Sequence, residues 1–117
     1  MKKHELIFPF PPSLNTYWRH NRGRTHISTE GKKYRNTVAM MCRIENIKTI
    51  EGNVKVKISA IRPDNRRRDL DNLLKVVLDA MQHGGIYKDD SQIVDLSIRW
   101  AIPVEFSPRL KVEVQAI

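Results

Sequence analysis

The chain has 117 residues, 40% of them hydrophobic, which is enough to bury one core and too apolar for a disordered tail. Its 21 lysines and arginines against 13 aspartates and glutamates leave a formal charge of +8, a balance that favours a polyanionic partner able to release condensed counterions on binding. No run approaches the roughly 20 apolar residues of a membrane span, and the one cysteine, Cys42, allows no internal disulfide; the expectation is a single cytoplasmic domain over residues 1–117 without membrane contact.

Leu6, Phe8 and Phe10 alternate in a short first strand that Pro11-Pro12 terminates. Residues 15–26 follow, polar and aromatic, with Asn21-Arg22-Gly23-Arg24 as the tip of a hairpin or loop. Ser28 or Thr29 caps a helix expected to run to about Asn46, with Tyr34, Val38, Met41 and Ile44 at core-facing spacing. From Val54 to Arg62 the period changes to two, with Val54, Val56, Ile58 and Ala60 on one face. A second helix spans about residues 69–83 and ends at Gly84-Gly85. Its apolar stripe is Leu70, Leu73, Leu74, Val77 and Met81; Asp71, Lys75, Asp79 and Gln82 fall on the wet side.

Two strands finish the chain. Val94, Leu96, Ile98, Trp100 and Ile102 alternate with Ile93, Asp95, Ser97, Arg99 and Ala101, and after a turn over residues 103–108 Leu110, Val112 and Val114 alternate with Arg109, Lys111 and Glu113. The order β-(hairpin)-α-β-α-β-β predicts an α+β fold, a mixed sheet with two main helices packed on one face. Lys55, Lys57, Arg99 and Lys111 would occupy the other face, as a DNA-facing or an ordinary solvated surface.

The acidic residues gather around residues 64–71 and 89–95. In Arg66-Arg67-Arg68-Asp69-Leu70-Asp71-Asn72, three arginines run into two carboxylates at a helix start. Asp69 suits an N-cap, Asp71 suits the positive end of the helix dipole, and Asp71 and Lys75 have ion-pair spacing. Reach permits a further role. The helix climbs about 18 Å from Asp71 to His83, and the extended steps from Gly84 to Asp90 cover up to about 20 Å. Asp90, and Asp89 with it, can therefore just return beside Asp69 and Asp71, an arrangement that reach permits without requiring. Two carboxylates about 4 Å apart repel by roughly 4 kcal/mol at an effective dielectric of 20, so three together need protons or a cation. An all-oxygen donor set points to Mg²⁺ or Mn²⁺ rather than zinc. Lys75, on the same helix face as Asp71, would touch a phosphate or the attacking water, and Arg66, Arg67 and Arg68 would hold neighbouring phosphates.

These residues resemble the RusA family of Holliday junction resolvases. The resemblance is carried by Pro11-Pro12-Ser13-Leu14-Asn15, by Arg19-His20-Asn21-Arg22-Gly23-Arg24-Thr25-His26, and by the Arg66 to Asn72 run with Lys75. Asp79-Ala80 and Asp89-Asp90-Ser91-Gln92-Ile93-Val94-Asp95 continue it in the same order. It implies an α+β homodimer that resolves four-way junction DNA by paired symmetric nicks with Mg²⁺. The family's three essential aspartates would fall on Asp69, Asp71 and Asp90 and its functional lysine on Lys75, with Arg19, Arg22 and Arg24 joining Arg66, Arg67 and Arg68 in holding DNA. No nucleotide cofactor is implied. Gln82-His83 is less typical of the family.

The competing class is a non-catalytic module that holds branched DNA or RNA. Carboxylates beside the arginines repel phosphate and serve such a module nothing, which favours the enzyme. His20 and His26 read as phosphate contacts or as solvated loop residues. Tyr17 and Trp18 read as core aromatics before base-stacking platforms. Asn15 suits either a turn or a role in orienting the site, Cys42 is helix core, and Asp89 is either a support for the site or a loop residue.

Overall fold

Alternating apolar residues build the sheet that organises the chain. In the computed structural model, which describes residues 3–101 and 108–117, β1 (Lys3–Pro9), β4 (Val54–Ile61), β5 (Ile93–Trp100) and β6 (Arg109–Ala116) form one four-stranded sheet in the order β1-β6-β4-β5. β6 runs antiparallel to β1 and to β4, whereas β4 and β5 are parallel, with Val56 opposite Leu96 and Ala60 opposite Trp100. The expected Ile102 at the end of the fifth strand, and residues 103–107 of the turn after it, lie outside the described residues.

Leu6, Phe8, Val54, Val56, Ile58, Ala60, Leu110, Val112 and Val114 turn to one side of the sheet and are buried. Two helices cover that side. α2 (Thr29–Ile44) starts at Ser28, whose hydroxyl accepts from Gly31 N at 2.9 Å, and α3 (Leu70–His83) starts at Asp69. α2 buries Tyr34, Val38 and Cys42; α3 buries Leu73, Val76, Val77, Ala80 and Met81. The mixed sheet with helices on one face is thus the expected α+β arrangement. Ile44 departs from expectation: it is 69% exposed, and Cys42 takes the core position instead. Lys55, Lys57, Arg99 and Lys111 line the opposite, solvent-facing side, where Lys55 pairs with Asp95 at 3.8 Å and Lys3 approaches Glu5 and Glu113, so that side is of mixed sign.

Between the first strand and α2 the chain makes two small elements. Pro11-Pro12 ends the strand, and the Ser13 hydroxyl caps a single turn, α1 (Leu14–Tyr17), by accepting from Thr16 N at 3.2 Å. A hairpin then projects, β2 (Trp18–Asn21) against β3 (Arg24–Ile27). Its two-residue turn places Arg22 at φ 50° and Gly23 at φ 75°, the left-handed pair that a tight hairpin with properly twisted strands requires. Gly31 lets this region pack on α2, because a Cβ there would stand 2.6 Å from the Tyr17 carbonyl.

Candidate active site

The parallel pairing of β4 and β5 decides where the acidic residues go. α3 connects two strands that run the same way, so its N-terminus lies at the end of the sheet where β4 finishes, and the loop that follows it lies where β5 begins. Asp69 and Asp71 sit at the first end, Asp90 at the second. An eight-residue strand such as β4 separates those ends by roughly 23 Å. Asp90 N donates to Gln82 Oε1 at 3.0 Å, which fixes it beside the last turn of α3, about 16 Å along the helix from Asp71. The expected return of Asp90 to the helix start therefore does not occur within one chain. Extended reach would have sufficed, but the segment after Gly84-Gly85 instead buries Ile86 and Tyr87 in the hydrophobic core. Among the described residues, no three Asp, Glu, His or Cys side chains come together closely enough to hold a metal ion.

At the first end, Asp69 occupies the N-cap of α3, yet its carboxylate makes no capping hydrogen bond; only its backbone carbonyl engages the helix, accepting from Leu73 N at 3.2 Å. Ser13, Ser28 and Asp89 all cap with their side chains. Asp69 and Asp71 are both exposed, as is Lys75 one turn further on. Arg66 and Arg67 face solvent, but Arg68 is held: its Nη1 meets Asp64 Oδ1 at 2.8 Å and its guanidinium lies over the Phe10 ring at 5.6 Å. The Arg68 hydrogen bond, followed by that from Arg66 N, lowers the Asp64 pKa. Phe10 in turn stacks near-parallel on Trp100, which carries Arg62 at 5.1 Å. Between this stack and the Pro11 to Asn15 segment opens a cleft of about 470 Å³ that Asp69 and Asn72 also line.

At the second end, two glutamines that sequence reasoning passed over hold the loop. Gln82 anchors Asp90. Gln92 Oε1 accepts from Lys88 N and Asp89 N at 2.8 and 3.0 Å, while its Nε2 donates to Ile50 O and Gly52 O, each at 2.8 Å. Asp89 caps the Asp90–Gln92 turn and accepts from Ser91, the contact that chiefly lowers its pKa, so its role is to support the loop. Asp90 itself stays exposed.

The remaining candidates distribute as follows. Arg22 and Arg24 are exposed on the hairpin, and Arg19 approaches Glu30 at 4.0 Å. His20 bonds Thr25 across the same hairpin at 2.9 Å. Tyr17 is fully buried and Trp18 packs edge-on against it under Arg35, which leaves Tyr17 no base-stacking role. Asp79 is not on a wet face: it is half-buried, paired with Arg35 at 2.8 Å and hydrogen-bonded by the Tyr17 hydroxyl.

Residues 9–115 match the family model of endodeoxyribonuclease RusA. Over 97% of its length the chain is 44% identical to crossover junction endodeoxyribonuclease RusA of Escherichia coli strain K12, covering 95% of that protein. It is 43% identical to the counterpart from Enterobacteria phage 82 with the same coverage, and 40% identical to that from phage HK97 over 84% of this chain and 82% of the other.

Proposed function

The chain belongs to the RusA endodeoxyribonuclease family, and from that premise we propose that it resolves four-way DNA junctions by paired, symmetric, metal-dependent nicks, as one endonuclease domain working in a homodimer. Its DNA substrate agrees with a cytoplasmic setting; among the described residues no helix is long and apolar enough to cross a membrane.

The observation that carries the dimer is the separation of Asp69 and Asp71 from Asp90 across the sheet. Among the described strands β5 lies at an edge of the sheet, and its Val94 and Leu96 are 57% and 40% exposed, an apolar edge that invites strand pairing. Antiparallel pairing of two such edges about a two-fold axis sets the start of one β5 against the end of the other. Asp90 of the partner subunit then arrives at the end that carries Asp69 and Asp71, and the symmetry completes two sites at once, matching the two opposed strands of a junction. The three carboxylates offer only oxygen, and Asp69 keeps its oxygens clear of the helix cap, so the set fits a hard divalent cation, Mg²⁺ with Mn²⁺ as substitute. Such an ion, when bound, supplies water activation and charge neutralisation at the scissile phosphate. Lys75 approaches the same phosphate from the next turn of α3. Arg66 and Arg67, with Arg19, Arg22 and Arg24 on the hairpin, fix the register of the flanking backbone, and Arg68 steadies the segment that leads into Asp69.

Mixing inactive variants tests this arrangement. Asp69→Asn, Asp71→Asn and Asp90→Asn each abolish nicking of a synthetic four-way junction in Mg²⁺ while retaining binding. An equimolar mixture of Asp69→Asn with Asp90→Asn regains nicks, because a heterodimer holds one intact site. A mixture of Asp69→Asn with Asp71→Asn stays dead. Cleavage failing to return in the first mixture, with subunit exchange verified, would show that each site is built within one chain.

A further inference from the structure

Beside Asp69 lies a cleft lined by apolar and amide side chains. Its volume of about 470 Å³ falls in the range of small-ligand pockets, which are mostly apolar with a few placed polar groups. Phe10, Pro11, Leu14 and Leu73 give it apolar walls, and Asn15 and Asn72, whose amides can each donate and accept, are also among its lining residues. The walls are set in advance. Phe10 is fixed by its stack on Trp100, Arg68 by Asp64, and the Leu14–Tyr17 turn by the Ser13 cap and by Tyr17, which is buried beneath it. Arg67 and Arg68 line the rim, so a polyanion is drawn to the mouth.

We propose that this cleft receives a single unstacked nucleobase of the junction, lodged against Phe10 and Arg68 and met at its edge by Asn15 and Asn72. The inference rests on the reading of the chain as a junction nuclease and names a part of its substrate site. Aromatic rings and guanidinium planes are the surfaces on which splayed-out bases stack, and amides pair with base edges in either polarity. In continuous duplex every base is stacked on two neighbours, whereas at a branch point stacking is interrupted, so a base can leave at less cost. Because Asp69 lines both the cleft and the candidate metal site, a base seated here places its own or the adjoining phosphate beside the carboxylates. The pocket would thereby couple recognition of a branch to placement of the scissile bond.

The test places 2-aminopurine, one position at a time, through the branch of a four-way junction and follows its fluorescence on binding without divalent metal. The wild type is expected to change the signal several-fold at one position per strand adjoining the cut. Asn15→Phe, a change at an exposed residue that plugs the cleft, should abolish that response while the junction still binds; Asn15→Ala should keep it in weakened form. A bound junction with no responding position, as when the partner subunit covers the cleft, overturns the proposal, as does a response that persists unchanged in Asn15→Phe. Nicking in Mg²⁺ is scored separately: a base response without nicks sinks the nuclease reading and leaves the pocket standing, and failure to bind the junction sinks both.

Discussion

At the scale of single residues, the contact with most consequence outside the acidic groups is the triad of Tyr17, Arg35 and Asp79. Arg35 Nε donates to Asp79 Oδ2 at 2.8 Å and to the Tyr17 hydroxyl at 3.0 Å, and its Nη2 reaches Asp79 Oδ1 at 3.1 Å. One residue from each helix is thus tied to the others, and the turn bearing Leu14 and Asn15 is pinned over α3. Asp79→Ala leaves a half-buried guanidinium and a buried hydroxyl without their acceptor, and should cost about 2 kcal/mol in urea unfolding. Helical spacing put Asp79 on the wet face because, at 100° per residue, the position lies about half a turn from the centre of the apolar stripe; nothing in the spacing announces a partner 44 positions earlier in the chain. Burial also predicts an alkaline limit. It pushes the Cys42 thiol up from 9.0 to about 11 and raises Tyr17, Tyr34 and Tyr87 above their usual range, Tyr17 further through its bond to Asp79. The folded state therefore holds protons that the unfolded chain has released. Stability is unaffected by these groups below pH 9 and falls as pH rises from there through 11, with Cys42 contributing on the order of 2 kcal/mol. Melting temperatures across that range should drop, and Cys42→Ala, though less stable at neutral pH, should show a shallower first part of the decline.

Among the elements, those with long periodic patterns were legible and those made by capping were not. The strand over Val54–Ile61 and the helix over Leu70–His83 follow from spacing alone. The turn at Leu14–Tyr17 escaped because four residues carry no period, although Ser13 was a visible cap signal; the turn at Asp90–Gln92 escaped for the same reason. The decisive miss was the direction of β5. Alternation marks a strand without saying which neighbour it joins or which way it runs, and the parallel pairing with β4 is what sends Asp90 to the far end. The loop that presents Asp90 depends on Gln92, whose amide satisfies four backbone groups. Gln92→Ala strands donors and acceptors that the loop cannot pair elsewhere. It should lower the nicking rate tenfold or more if the misplaced carboxylate costs about 1.4 kcal/mol or more at the transition state, with junction affinity unchanged in a gel-shift titration.

For the whole molecule, the prediction concerns the open edge. Leu96→Lys places a charge on the exposed face of β5, a device that blocks edge pairing, and should leave the helices and sheet folded by circular dichroism while sedimentation shows a monomer without nicking activity. That outcome ties catalysis to assembly. With the proposed shared site, a crossover that parts two carboxylates from the third would make each subunit half an enzyme. Turnover per molecule should then decline on dilution, and a stray subunit on unbranched DNA would have nothing with which to cut it.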